Sequence, residues 1–597
     1  MSSQHVTATA GFAYGVIGAD IHVFGDGTPL YVLERWRPPP QLDDDWLREQ
    51  PSRMLNARFA VVGFTGREQE LRGLGEWCTQ GPRRAARWLH GPGGQGKTRL
   101  AHELATALTE TGWTVATATE GPGGVLPPPG SQDLSPDGTA GLLLLIDYAD
   151  RWPLSSLTWL FSNALLHRTD LPVRILLLAR GTDAWPALRA SLANGQVSVS
   201  QQLLPPLGMD GPWNSGSADS AANPEGRQAM YRAALDGFAA RYGIPAPSGP
   251  AVLDHAEFGL VLAVHMAALV AVDAHATGRT LPALVPTALA GDAFGPAAAP
   301  ALPGTAGLAL YLLDREQLNW ARLHRERRHG RIATPPAAMN QVVFTAALSG
   351  PRSPDSATVL IDALYLGHPT AAVLADHAVC YPPPDPARPT VLEPLFPDRL
   401  AEDFVALTLP GHRAAYPAQR WAPGTAVVTT RHDDRPARAV TTLAAAAERW
   451  PHVGPRALFP VLDENPDLAV AAGAPALLAL AKLATIEDEL LSRVLGRVPD
   501  PTPPDLEVAA AVLRIRLLDF RLAVADGPGA TAAVLVNQGN DLGLLGRHEE
   551  AVHAGRRGVR AFERLAVEQP EIYEADVGIS LTNHADQLRQ NKRSTEA

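Results

Sequence analysis

The stretch GPGGQGKT, residues 91 to 98, constrains the fold more than any other part of the sequence. Gly91, Gly96, Lys97 and Thr98 meet the pattern G-x-x-x-x-G-K-[ST]. Small residues let successive backbone N–H groups turn inward around an anion, a lysine neutralises the outer phosphates, and a hydroxyl serves Mg²⁺. Such a loop works only between a strand and a helix. RWLH before it reads as a strand and RLAHELATAL after it has helical periodicity, so the anion would sit at a helix N-terminus. Gly91, Gly93, Gly94, Gln95, Gly96, Lys97, Thr98 and Arg99 are therefore candidate contacts to a bound nucleotide.

A phosphate loop needs a second, acidic element, and GLLLLIDYAD at 141 to 150 supplies one. The unbroken aliphatic run from Leu142 to Ile146 predicts a strand buried on both faces, as in the centre of a parallel sheet. Asp147 emerges at its C-terminal end, where ligands of open α/β sheets bind, and is placed with Thr98 to hold Mg²⁺. Asp150 is the candidate to orient or deprotonate an attacking water. VRILLLAR at 173 to 180 predicts a further strand, ending in Arg180, which is positioned to read a γ-phosphate or else to face solvent. QQLLPPL at 201 to 207 predicts the last strand, with Pro205 and Pro206 either closing the nucleotide pocket or ending the strand. Lys97, Asp150 and Arg180 are the candidate catalytic residues, and Pro206 joins the candidate nucleotide contacts.

Length and composition bound the rest. A chain of 597 residues exceeds one core, which predicts roughly three to five domains. Acidic residues outnumber basic ones by 62 to 51 without a lysine- or arginine-rich run, which argues against nucleic acid as a partner. Two distant cysteines, Cys78 and Cys380, exclude a disulfide framework and point to the cytoplasm. No basic stretch followed by an apolar core opens the sequence, so no export signal is expected. The apolar run GLVLAVHMAALVAV at 259 to 272 is shorter than the ~20 residues of a membrane span and carries His265. It predicts a buried helix, not a membrane anchor.

The order of these pieces resembles the signal-transduction ATPases with numerous domains, the STAND class of P-loop NTPases that includes NB-ARC and NACHT proteins. The resemblance rests on FTGREQEL at 64 to 71, GPGGQGKTRL, LLLLIDYAD, LLLAR and LLPPL, and covers about residues 60 to 210. It implies that Phe64, Gly66 and Arg67 touch base and ribose, that ATP or ADP with Mg²⁺ is the cofactor, and that the chain is a slow ATPase used as a switch. Residues 226 to 280 resemble the helical lid of the class, and LEPLFPDRLAEDFVA at 392 to 406 resembles its winged-helix or helical region. The Met-His-Asp motif by which some members read ADP has no match, because His265-Met266 runs in the opposite order. The first segment also resembles AAA-type origin-recognition ATPases.

The expected architecture is multidomain α/β plus α: a β-hairpin-like segment at 1–55, a P-loop NTPase core at 56–215, a helical lid at 216–300, a winged-helix-like or helical region at 301–440, a helical region at 441–530, and a tetratricopeptide-like hairpin with a fragment at 531–597. The stretch 121 to 140 is expected as a surface insertion in the core. Residues 5–36 alternate enough for short strands turning at Asp26-Gly27. They are either a hairpin docked on the core or, through AYGVIGAD at 13 to 20, a cross-β signalling motif that contacts an effector protein. At the other end, 535 to 566 resembles a repeat hairpin turning at Gly546-Arg547, and Asn583 follows Asn537 at a spacing longer than the ~34 residues of the standard repeat.

Together these features predict a nucleotide-driven switch that senses a protein or small-molecule trigger through its C-terminal helices and forms a homo-oligomer to signal, in bacterial defence or cell death. The alternatives are an origin-recognition-like ATPase acting on nucleic acid and a transcriptional regulator of the same ATPase class. Neither is supported by a basic, DNA-reading element. No H-E-x-x-H or G-x-S-x-G motif adds another chemistry.

Overall fold

The computed structural model describes residues 15–23, 29–121, 131–207, 224–248, 253–280, 305–326, 332–383, 390–433 and 437–591. Its strands are β1 (Gly15–Ile17), β2 (Tyr31–Arg35), β3 (Arg84–His90), β4 (Thr114–Glu120), β5 (Ser131–Asp133), β6 (Leu142–Ile146), β7 (Val173–Ala179) and β8 (Ser198–Leu203). Six of them form one sheet in the order β2-β4-β6-β7-β3-β8. β2 runs antiparallel to β4, and every other neighbouring pair is parallel.

The sheet is buried on both faces, and the leucine run of β6 shows how. Successive side chains of a strand point to opposite sides. Leu142, Leu144 and Ile146 pack with Trp88, Ile175 and Leu177, while Leu143 and Leu145 pack on the other face with Leu100, Leu104 and Leu176. Leu100 and Leu104 come from the helix Lys97–Glu110, whose buried stripe also holds Ala101, Ala105 and Leu108. Parallel order places the phosphate-loop strand β3 between β7 and β8, two strands from β6. The ends of β3, β7 and β6 thus open side by side on one edge of the sheet.

The N-terminal segment does not stand apart. β2 adds to the edge of the sheet with Tyr31 opposite Glu120 and Arg35 opposite Ala116, and β1 pairs in parallel with β5. Asp26 and Gly27, the expected turn, lie outside the described residues, as do residues 122–130 of the expected insertion. The expected insertion therefore supplies, in β5, the partner of β1.

From Pro224 onward the described residues are helical apart from an isolated antiparallel bridge between Arg352 and Val391. One core runs from Leu47 and Met54 through the helices Pro224–Tyr242, Val261–Thr277, Ala306–Arg325 and Asp398–Thr408 to Leu517. Leu47, Met54, Leu55, Val61 and Val62 therefore share a core with the helices Pro224–Tyr242 and Val261–Thr277. The run at 259 to 272 falls in Val261–Thr277, a helix with eleven buried residues. No helix among the described residues is long and apolar enough to cross a membrane.

At the C-terminus the helices Gly527–Leu544, His548–Glu568 and Pro570–Gln590 run 18, 21 and 21 residues. Helices this long explain the stretched spacing between Asn537 and Asn583. Gly558 permits the tight crossing, since a Cβ there would stand 2.6 Å from Cγ2 of Val536. Arg514 clamps Asp541 through Nε and Nη2 at 2.7 to 3.0 Å, which fastens this hairpin to the helix Pro504–Arg516. The described residues form a mixed, mostly parallel sheet with helical layers and a helical C-terminal region.

Candidate functional site

The phosphate loop leaves β3 at His90 and enters the helix at Lys97 through a left-handed Gly96, φ +93°. Glycine is required by space as well as by backbone. A Cβ on Gly94, φ +85°, would meet Leu262 Cβ at 3.0 Å, and one on Gly96 would meet Val261 Cγ2 at 3.3 Å. The helix Val261–Thr277 thus begins directly on the loop, and the Leu262 N–H donates to the Gly94 carbonyl at 2.9 Å. Gln95, fully buried, donates from Nε2 to the Pro205 carbonyl and ties the loop to the segment after β8.

Lys97 folds back over its own loop, donating from Nζ to the carbonyls of Gly91 at 2.5 Å and Pro92 at 3.0 Å. Burial lowers its ammonium to about 8, against the opposing pull of Asp147. Thr98 Oγ1 donates to Asp147 Oδ2 at 2.8 Å, and Asp147 Oδ1 accepts from the Tyr148 N–H at 2.8 Å. Burial raises the Asp147 carboxyl above its ordinary range, offset in part by these two donors and by Lys97. A hydroxyl and a carboxylate meeting at one point are oxygen donors of the kind Mg²⁺ takes. Among the described residues no three His, Cys, Asp or Glu converge as a metal-binding group.

Asp150 lies on the short helix after β6. Its Oδ2 accepts from the Arg180 backbone N–H at 3.0 Å, while its Oδ1 is buried without a partner. Arg180 sits against the loop, its Cζ 3.4 Å from where a Gly93 Cβ would stand. Its guanidinium is not free in solvent. Nη1 donates to Glu402 Oε1 at 2.8 Å and Nη2 to Asp398 Oδ2 at 3.4 Å, both from the helix Asp398–Thr408. Burial works against the Arg180 charge, but Glu402 and Asp398 outweigh it and hold the group above its ordinary range.

A cavity of about 300 Å³ joins these parts. Gly93 to Arg99, Asp147, Asp150 and Arg180 supply its polar lining; Met54, Leu55, Ala57, Val61, Val62, Val261 and Leu262 supply its apolar lining; His265, Pro397, Asp398 and Arg399 also border it. In the segment before Val61 and Val62, Asn56 accepts the Arg58 N–H at 3.0 Å and Ala60 is left-handed, φ 47°. His265 and His102 are both driven down to about 4, chiefly by burial, so both face the cavity as neutral rings.

The sequence-predicted residues divide accordingly. Gly93, Gly94, Gln95, Gly96, Lys97, Thr98, Arg99, Asp147, Asp150 and Arg180 come together on the cavity. Gly91 holds the Lys97 ammonium from behind. Phe64, Gly66, Arg67 and Pro206 lie outside the cavity lining. Phe64 packs beneath Arg99, whose Cζ is 5.6 Å from the ring, and Arg67 bridges Glu70 and the Pro205 carbonyl at 2.6 Å each. Pro206 meets Gly259, where a Cβ would stand 3.0 Å from Pro206 Cβ. These residues brace the site from behind, and the preceding segment, 54 to 62, forms the wall. Sequence reasoning gave no site role to that segment, to Asp398 or to Arg399, and placed His265 in a buried helix without giving it a contact. Only the acidic spacing of Asp398 and Glu402, one helical turn apart, could have flagged the last wall.

No family model matches the chain, and no curated protein matches it. Among solved structures, a Signal Transduction ATPase with Numerous Domains (STAND) protein with a tetratricopeptide repeat sensor from Pyrococcus horikoshii is similar at 12% identity, over 89% of this chain and 80% of that chain, with a TM-score of 0.25. That score is too low for the likeness to carry any argument about the site.

Proposed function

We propose that the chain is a STAND-type switch ATPase that holds ADP or ATP with Mg²⁺ in this cavity. The observation that carries the reading is the convergence of a phosphate loop, the Thr98–Asp147 pair and Arg180 on one cavity that is also lined by apolar side chains. The loop's N–H groups and helix N-terminus suit phosphates. The wall from Met54 to Val62 suits a planar base, and its volume falls within the ~300–1,000 Å³ of small-molecule pockets.

Mg²⁺, when bound, would supply charge neutralisation between the phosphates. Thr98 and Asp147 would hold it, and the remaining positions would fall to phosphate and water. The protein's own groups do the rest. Lys97 exchanges its two carbonyl acceptors for phosphate oxygens, a gain for an ammonium that burial penalises. Asp150, with one oxygen anchored and the other unpaired, is suited to accept a hydrogen bond from water. Turnover is slow in this reading, because nucleotide exchange requires helices on two sides of the cavity to part.

The switch reading extends to partners. A protein or small-molecule trigger at the helices after residue 527 opens the chain, and opened copies assemble as a homo-oligomer in the cytoplasm. Residues 5–36 would pass the signal to an effector. Light scattering of the purified chain with ADP, with a non-hydrolysable ATP analogue, and with Lys97→Ala tests it. Growth into a defined oligomer with triphosphate alone, lost on substitution, supports the switch. A monomer in every state, with salt-sensitive DNA binding instead, would favour the nucleic-acid ATPase.

A further inference from the structure

We propose that Asp398 and Glu402 set the preference of this site for a nucleoside diphosphate over a triphosphate, by occupying the arginine that a third phosphate would need. The proposal rests on the nucleotide reading above and adds which residues discriminate. Both carboxylates rise from the first turn and a half of one helix, spaced so that they share a face. They converge on a single guanidinium, that of Arg180, at 3.4 and 2.8 Å. Asp398 Oδ2 is also 3.6 Å from Arg151 Nη1, so it draws on both cations at this edge of the cavity. Arg151 is braced in turn over the Tyr148 ring at 4.4 Å.

The ion pairs explain the selectivity. Of the cations that line the cavity, Arg99 is paired with Glu103 Oε2 at 2.5 Å, Arg399 with Glu257 Oε1 at 3.1 Å and Arg180 with Glu402 and Asp398, while Lys97 rests on backbone carbonyls. A diphosphate with its metal uses the loop, Lys97 and the Thr98–Asp147 pair, and leaves the Arg180 cluster intact. A terminal phosphate would add negative charge beside Asp398, which already pairs with Arg151 and Arg180. It must take Arg180 from the two carboxylates, and that requires the helix Asp398–Thr408 to move. The next residue of this helix, Asp403, faces another neighbour and accepts from Arg449 Nη1 at 2.6 Å and Trp450 Nε1 at 2.8 Å. Movement at the phosphate end is therefore transmitted to the helix Ala437–Arg449 and the layers behind it.

A plain structural staple would differ in one measurable respect. Losing a staple weakens both nucleotides alike, whereas losing a discriminator changes their ratio. The experiment is equilibrium binding of fluorescent ADP and of a non-hydrolysable fluorescent ATP analogue, each with Mg²⁺, to the full chain. The variants are Asp398→Asn, Glu402→Gln, the charge-keeping Asp398→Glu, and the control Asp183→Asn, which removes a carboxylate paired with Lys482 instead of Arg180. Wild type is expected to favour ADP. Each amide variant should move the ratio toward triphosphate by about tenfold, the effect of one nearby charge in a partly screened site. Asp398→Glu and Asp183→Asn should keep the wild-type ratio. An unchanged ratio in both amide variants, including equal weakening of both ligands, overturns the proposal and leaves nucleotide binding standing. Failure of the wild type to bind either nucleotide overturns both.

Discussion

Lys97 offers the sharpest test of the site's electrostatics, because burial penalises the very charge that phosphate binding needs. Its ammonium is lowered from 10.5 to about 8, while in the unfolded chain it returns to its ordinary value. Below pH 8 both states are protonated and the folded state bears the full cost. As pH rises from 8 to 10.5 the folded state sheds the proton first, so the unfolded state binds more protons and stability increases with pH. Between pH 7 and pH 10 this single group should add about 2 kcal/mol to the unfolding free energy. The perturbation is Lys97→Met, which keeps the length of the side chain and removes the titration. Urea unfolding of both proteins, followed by tryptophan fluorescence at pH 7 and pH 10 without nucleotide, reads the term, because titrating groups away from Lys97 cancel in the difference, leaving its neighbours Asp147 and His90. Wild type should gain about 2 kcal/mol on the variant over that interval, and saturating Mg-ADP should erase the gain by giving the ammonium anionic partners. Parallel pH profiles for the two proteins, or a difference of opposite sign, would refute the reasoning.

Other outcomes follow from the same geometry. Asp150→Asn should leave Mg-ADP affinity within about twofold yet slow hydrolysis at least tenfold, since a general base typically contributes ~10²–10⁴; single-turnover phosphate release checks it. Gly94→Ala should weaken nucleotide affinity and lower the melting temperature together, because its Cβ meets Leu262 and its φ of +85° strains any side chain; calorimetry with and without ADP reads both. Leu144→Ala, at a fully buried position of the central strand, should cost about 3 kcal/mol in chemical unfolding. Cys78 and Cys380 are buried and pushed up to about 12, so neither should react with a thiol reagent at pH 8 until the chain is denatured.

The sheet was legible because its signals are local. A five-residue aliphatic run admits few alternatives, and a glycine-rich loop between a strand and a helix fixes where the ligand end lies. The strand β2 was harder to place, since YVLER alone does not say which edge it joins; that comes from its pairing with β4 across more than eighty residues. The cavity wall from Met54 to Val62 illustrates the limit better. Phe64, Gly66 and Arg67 carry the distinctive residues, whereas Met54, Val61 and Val62 look like ordinary apolar positions. They become a wall only because they share a core with residues of the helices Pro224–Tyr242 and Val261–Thr277, far away in sequence. The carboxylates that hold Arg180 lie 218 and 222 residues away in sequence, a pairing that no local pattern encodes.

Calorimetric titration of the 597-residue chain with Mg-ADP tests the central claim most directly. One saturable site per chain, abolished in Lys97→Ala and competed by ATP, is the result expected. A flat titration with properly folded wild-type protein would contradict it.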